Sequence, residues 1–168
     1  VLAPGANATT AEELAYRSDV IVLALPLGKF KKIPTALLAD KLVIDAMNHW
    51  WEVDGDRNGM MHADITSSEA VQSYFSDSHI VKALNHIGYH HLHDDALPHG
   101  TVDRKAVAIA GDDLQDVAAV SELVNNLGFD PLPIGGLSQG VKLEPGSRAF
   151  GAHVTITELK LLLQSMVG

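Results

Sequence analysis

The chain has 168 residues, 46% of them hydrophobic, which is enough to bury one sizeable core, so we expect one globular unit. Twelve basic and 21 acidic residues give a net charge of −9, which argues against a nucleic-acid partner and an anionic membrane surface. No cysteine is present to form a disulfide or thiolate site, and no apolar run approaches the roughly 18 residues of a membrane span. We therefore expect a cytoplasmic protein that binds small molecules.

Two buried strands are predicted early in the chain, at residues 20–25 and 42–44. Both are unbroken apolar runs, which is typical of strands covered on both faces. The short connection between them favours parallel neighbours with a right-handed crossover. Because ligands of such sheets lie beyond the carboxyl ends of the strands, the residues after each run are candidate binding residues.

The rest of the chain alternates between predicted helices and strands. We predict helices at residues 8–17 with Thr10 as N-cap, 30–39, 66–75 with Ser67 or Ser68 as cap, 114–127 and 147–166. We predict further strands at residues 79–84, 105–110 and, on an edge because of its two prolines, 129–134. This alternation predicts an α/β fold with a mainly parallel sheet.

The two C-terminal helices carry the most specific side-chain predictions. In the helix at 114–127, apolar residues from Leu114 to Leu127 form a buried stripe, and Gly128 occupies the left-handed position after its end. In the helix at 147–166, apolar side chains cover more than one face. We therefore expect part of that surface, from Leu159 to Met166, to form a homodimer interface.

Four motifs in order resemble the NADP-binding domain of the F420-dependent NADP reductase family. They are DVIVLALP at 19–26, LVIDAMN at 42–48, VKALNHIG at 81–88 and AIAGDD at 108–113. The resemblance implies a Rossmann-like fold and an oxidoreductase. Such an enzyme would pass a hydride between NADP(H) and the deazaflavin coenzyme F420, or a similar acceptor.

The sequence departs from that family at its start. It lacks the first strand, its GxGxxG turn, the following helix and the second strand, and such a βαβ unit takes roughly 30 residues or more. The chain opens instead with Val1 and a proline- and glycine-containing segment. We therefore expect residues 1–168 to be a single dinucleotide-binding domain, truncated at its N-terminus, with an incomplete βαβ unit and no readable preference between NADP and NAD.

The resemblance also implies which residues bind the cofactors. Near the ribose and nicotinamide it places Leu25, Pro26, Leu27 and Asn48, and where nicotinamide and deazaflavin meet it places Asn85, His86 and Ile87, with Gly136, Leu137 and Ser138 on the far side of the deazaflavin. Hydride transfer between two bound cofactors requires orientation more than an acid or base, so no catalytic residue is predicted. In the alternative interpretation, residues 25–27 are a strand that stops at a proline, and Asn48 caps a loop.

Two other functions remain open at this point. Five histidines between His86 and His99 suggest a zinc site, with Asp94 or Asp95 completing it, and hence a metal-dependent hydrolase. However, the segment lacks HExxH and contains Pro98 and Gly100, which favours a solvated loop. The third interpretation is a non-catalytic dimeric remnant of a dinucleotide-binding protein. Trp50 and Trp51 either stack on a cofactor or pack over a core edge.

Overall fold

The computed structural model describes residues 5–57, 61–62 and 64–164, and their strands form one mainly parallel sheet. The strands are β1 Val20–Leu23, β2 Leu42–Asp45, β3 His79–Lys82, β4 Ala106–Gly111 and β5 Asp130–Gly135. They lie side by side in chain order. Strands β1 to β3 are parallel, β4 runs antiparallel to β3, and β5 is parallel to β4. The predicted α/β class and the edge position of the proline-containing strand are confirmed.

The helices lie on both faces of this sheet. They are α1 Ala11–Arg17, α2 Trp51–Asp54, α3 Ser67–Tyr74, α4 His91–Asp94, α5 Leu114–Asn126 and α6 Ile156–Gln164. Short 3-10 helices lie between these elements at Leu27–Lys32, Thr35–Leu37 and Leu137–Leu143. Within the described ranges, no helix is both long and apolar enough to cross a bilayer.

The predicted helix at residues 30–39 is wrong. Two 3-10 helices take its place because Pro34 has no N–H to donate and pushes the preceding Ile33 into an extended conformation (φ −85°, ψ 123°). The predicted cap of α3 is also wrong by one residue. Thr66, not Ser67, is the N-cap, and it forms a capping box in which its hydroxyl accepts from the Glu69 N–H while the Glu69 carboxylate accepts from the Thr66 N–H.

The last predicted helix is shorter at its start than expected. Residues 147–155 form turns, including Gly151 at φ +78°, and then an isolated bridge from Thr155 to Lys105, so α6 begins only at Ile156. Leu159 is fully buried beside Leu143 in the core rather than available to a second subunit. Met166 lies outside the described residues.

Three apolar clusters make the core, and alternation along the strands assigns them to the two faces. Val43 and Ile80 face one side, beneath α3 and the first 3-10 helix. Ile44 and Val81 face the other side, where α5 covers them. Under α6, the small Ala106 and Ala108 of β4 form the third cluster with Leu159. The result is a three-layer arrangement of helices, sheet and helices.

Helix α5 buries a narrower stripe than predicted. Val117, Val120 and Val124 are buried, but Leu114, the first residue of the helix, is 84% exposed. Asp113 caps the helix by accepting from two backbone N–H groups, and Gly128 has φ +101°, the left-handed conformation predicted for it.

Candidate functional site

A crevice of about 420 Å³ opens beyond the carboxyl ends of β1, β2 and β3. Val22 and Ala24 point to the same side of the sheet because they are two residues apart, and Ala46 joins them from β2. No described strand pairs with the outer edge of β1, where Val20 and Val22 remain 38% and 47% exposed. The crevice is lined by Val22, Ala24, Ala46, Asn48, Leu84, Asn85, His86, Ile87, Gly88, Tyr89, Leu92, Phe150 and Gly151.

Two asparagines join the ends of β2 and β3 in the crevice wall. Asn48 Nδ2 donates to the Asn85 carbonyl at 2.8 Å, and Asn85 Nδ2 donates to Asn48 Oδ1 at 2.9 Å. Asn85 Nδ2 also donates to the Leu143 carbonyl at 2.7 Å. Asn85 Oδ1 is buried and meets no donor among the described residues. The pair therefore fixes the shape of the wall.

His86 is a buried, neutral imidazole in the same wall. Its Nε2 accepts from the Ala108 N–H at 3.0 Å, so the ring proton belongs on Nδ1. Burial lowers the pKa of His86 to about 4, and the nearby Ala149 carbonyl raises it only partly. No hydrogen bond of good geometry reaches Nδ1 from the described residues. At neutral pH the ring therefore places no positive charge beside the crevice.

The remaining surface of the crevice is apolar, and one residue in it is strained. Leu84 has φ +66°, a left-handed conformation that is unfavourable for a side chain of its size, and strained residues of this kind cluster at functional sites. Ile87 is 6% exposed, and Phe150 lies 5.7 Å from Trp50 in an edge-to-face contact. Trp50 thus packs against the crevice rim, while Trp51 is 73% exposed.

The opposite face of the same strand ends holds a buried charged network, which we call the Asp45–Lys82 network. Lys82 Nζ donates to the Met47 carbonyl at 2.7 Å and lies 3.3 Å from both Asp45 Oδ2 and Ser67 Oγ. Ser68 Oγ donates to Asp45 Oδ2 at 2.6 Å. Asp45 and Lys82 are both fully buried, so no ligand reaches them and their role is to join β2, β3 and α3.

Glu144 connects this face to the segment after α2. Burial alone would raise the pKa of Glu144, but hydrogen bonds from Arg57 at 2.7 Å and from the Ser67 N–H at 2.7 Å outweigh it, so the pKa is lowered. The carboxylate therefore stays ionised and holds Leu143 in place for its contact with Asn85.

The structure brings four of the predicted site residues together and leaves six elsewhere. Asn48, Asn85, His86 and Ile87 line the crevice. Leu25, Pro26 and Leu27 are not among the lining residues, and Leu27 is fully buried beside Phe30. The segment of Gly136, Leu137 and Ser138 lies on the α3 side, where the Leu137 N–H donates to Asp112 and its carbonyl accepts from Thr66.

The histidines do not form the predicted cluster. His86 and His90 do not share a helix, because turns separate β3 from α4, which begins only at His91. Among the described residues, a different set of possible metal ligands converges, His91, Asp95 and His153. His86 is not part of it.

Several crevice residues were not identified from the sequence. Val22 and Ala24 had a usable signal, since alternation within a strand places every second side chain on one face. Phe150 and Gly151 had no such sequence signal, because the turns before α6 bring them to the crevice. The hydrogen bond from the Gly151 N–H to the His86 carbonyl, at 2.7 Å, holds them there.

Together, the parallel strands, the crevice at their carboxyl ends and its largely apolar lining define a Rossmann-like α/β domain with a ligand crevice. Residues 2–49 match the sequence model of a family described as NADP oxidoreductase, coenzyme F420-dependent. The match confirms over this segment the family resemblance inferred from the motifs. It agrees with the expected class of enzyme, an NADP-dependent oxidoreductase.

Two solved structures are similar in fold. A hypothetical protein from Sinorhizobium meliloti, SMa0349, is 23% identical with a TM-score of 0.72 over 86% of this chain and 70% of its own. A protein from Arthrobacter sp. FB24, provisionally named an F420-dependent NADP-reductase, is 21% identical with a TM-score of 0.65 over 79% of this chain and 62% of its own. At these identities the likeness supports the fold. Among functionally curated proteins, none matches the sequence.

Proposed function

We propose that this protein passes a hydride between NADP(H) and coenzyme F420 or a similar deazaflavin, with the nicotinamide bound in the crevice. The observation that carries the proposal is the position of the crevice. It lies at the carboxyl ends of three parallel strands, the place where dinucleotides bind in such sheets, and its first strands fall inside the family match.

The residues of the crevice wall suit a reaction in which the nicotinamide ring must be oriented and water must be excluded. NADPH loses a hydride and becomes NADP⁺, while the oxidised deazaflavin gains the hydride and one proton from solvent. The nicotinamide becomes positive in this step, which a neighbouring cation would oppose, so the neutral His86 is the appropriate form. Ile87 and Phe150 exclude water, and the paired Asn48 and Asn85 fix the surface on which the ring is oriented.

Only the nicotinamide is proposed to bind in the described crevice, and the rest of the dinucleotide would bind outside it. The 168 residues contain no GxGxxG turn, and the chain spans 70% and 62% of the two similar structures. The proposed unit is one dinucleotide-binding domain that assembles as a homodimer. The dimer carries over the expectation from the apolar C-terminal helix, and sedimentation as a monomer would contradict it.

An enlarged side chain at Ala24 tests where the nicotinamide binds. Ala24 is exposed and lines the crevice, so Ala24→Phe should fill it without disturbing the core. Ala119 is an exposed alanine on α5, away from the crevice, and Ala119→Phe is the matched control. We expect Ala24→Phe to weaken NADPH binding, measured by titration calorimetry, by about tenfold or more, equivalent to about 1.4 kcal/mol, and the control to leave it unchanged.

The hydride acceptor is tested separately. NADPH oxidation is followed with coenzyme F420 or with FMN as acceptor, and we expect faster turnover with F420.

The two experiments fail in different ways. Equal NADPH binding in Ala24→Phe and the unaltered protein would refute the crevice assignment. Turnover with FMN as fast as with F420 would refute only the acceptor.

A further inference from the structure

Three side chains with metal-binding atoms meet beside the crevice, and no step of the proposed hydride transfer uses them. His91 Nδ1 lies 2.8 Å from Asp95 Oδ2, and His153 Nδ1 lies 3.6 Å from the same oxygen. The two imidazole rings stack with centroids 3.9 Å apart and planes 17° apart. One donor atom from each residue falls within 4.8 Å of the other two.

The shared oxygen of Asp95 is the distinctive feature of this cluster. Its Oδ2 is inaccessible to solvent, and no donor in the described part of the chain reaches it with hydrogen-bond geometry, although His91 Nδ1 is close. A buried carboxylate oxygen without a hydrogen bond is costly. Two ring nitrogens lie near this oxygen, at 2.8 and 3.6 Å. A bound cation would satisfy all three atoms at once.

We propose that His91, Asp95 and His153 bind a zinc ion, with a water molecule as the fourth ligand. Two imidazole nitrogens and one carboxylate oxygen are a donor set that zinc accepts. Zinc bonds of about 2.0–2.1 Å in a tetrahedron place ligand atoms about 3.3 Å apart, between the two separations in the structure. The side chains of His91 and His153 are 24% and 47% exposed, which lets their rings rotate to bond the ion and leaves room for water.

The position of this site assigns it a structural role. His91 lies two residues after Tyr89, and His153 lies two residues after Gly151; Tyr89 and Gly151 both line the crevice. These two segments are otherwise joined by the hydrogen bond from the Gly151 N–H to the His86 carbonyl. A zinc ion would fasten the same two segments a second time and hold the crevice wall without touching the hydride.

The test uses protein prepared without a polyhistidine tag and stripped with EDTA. Titration calorimetry with Zn²⁺ should give one equivalent of saturable binding, and Mg²⁺, which prefers oxygen ligands, should give none. Asp95→Asn and His153→Ala should each weaken zinc binding by about tenfold or more, since even the loss of an outer-shell partner of a metal ligand costs 10- to 100-fold. His93→Ala is the matched control, because His93 is an exposed histidine on the same helix, α4, outside the cluster.

A second measurement requires no variant. Co²⁺ added to the stripped protein should develop the visible absorption of a tetrahedral site, and one equivalent of Zn²⁺ should abolish it. The proposal is overturned if Zn²⁺ shows no saturable binding and Co²⁺ gives only the spectrum of the free ion. It is equally overturned if His93→Ala weakens binding as much as His153→Ala. Loss of zinc binding with NADPH binding intact would leave the proposed function standing.

Discussion

The two faces of the sheet at the ends of β2 and β3 hold opposite kinds of surface. On the α3 face, Asp45 and Lys82 are charged and fully buried. On the crevice face, one residue further along each strand, Ala46 and Ala83 are small and apolar. The charged residues therefore stabilise the scaffold, and the residues available to a ligand are nearly all uncharged. This is the arrangement expected where two bound cofactors supply the chemistry and the protein supplies position.

The largest effect on stability is expected from removing one charge of the Asp45–Lys82 network. Lys82→Met leaves the buried Asp45 carboxylate without its cation, which should lower the free energy of unfolding by about 3–5 kcal/mol. Equilibrium unfolding in urea measures this. The exposed Lys29→Met is the matched control and should change stability by less than about 0.5 kcal/mol.

A double variant sharpens that experiment. Adding Asp45→Asn to Lys82→Met removes the uncompensated charge and should restore part of the lost stability. If the single variant costs no more than the Lys29→Met control, the Asp45–Lys82 network is not what joins the strands.

The next effect belongs to the crevice face and depends on pH. Because burial lowers the pKa of His86 to about 4, below the ordinary 6.5, the unfolded chain binds the proton more readily than the folded chain. The stability that the neutral His86 contributes is therefore present above pH 6.5 and is lost as the pH falls toward 4. We expect a loss of about 2 kcal/mol between pH 7 and pH 5 from this residue.

His86→Gln provides the comparison for that measurement. Glutamine accepts a hydrogen bond but does not titrate, so the variant should lose less stability than the unaltered protein over the same interval. The titration of Glu144 does not interfere with this comparison of stability at pH 7 and pH 5. Its lowered pKa makes its own contribution disappear below its ordinary 4.5, at more acidic pH. Identical slopes for the two proteins would show that His86 is not held neutral by burial.

A smaller effect is expected from the asparagine pair. Asn48→Ala removes two hydrogen bonds with Asn85 and should lower the free energy of unfolding by about 1–2 kcal/mol. If the pair orients the nicotinamide, NADPH binding should also weaken, by up to about tenfold. The exposed Asn126→Ala should change neither quantity. If stability falls but NADPH binding is unaltered, Asn48 only caps a loop, as in the alternative interpretation of the sequence.

Local signals predicted much of the fold. The apolar runs located the strands, and Thr10 and Gly128 marked helix ends through contacts within a few residues. Asn48, Asn85, His86 and Ile87, which the family resemblance assigned to the cofactors, line the crevice. Phe150 could not be placed, since its position depends on turns and on a hydrogen bond across 65 positions, from Gly151 to His86. The left-handed Leu84 could not be read either, because leucine carries no sequence preference for that conformation.

The smallest expected effect distinguishes a cap that supports the charged face from one that does not. Thr66 caps α3, the helix that delivers Ser67 and Ser68 to the Asp45–Lys82 network, and its hydroxyl also donates to the Leu137 carbonyl. Thr66→Ala should therefore cost about 1 kcal/mol or slightly more. Thr10→Ala removes a similar cap from α1, which is exposed and supports no buried charge, so its cost should be about half as large. Urea unfolding of both variants decides the point, since equal losses would mean that the cap acts on its helix alone and not on the buried network beneath it.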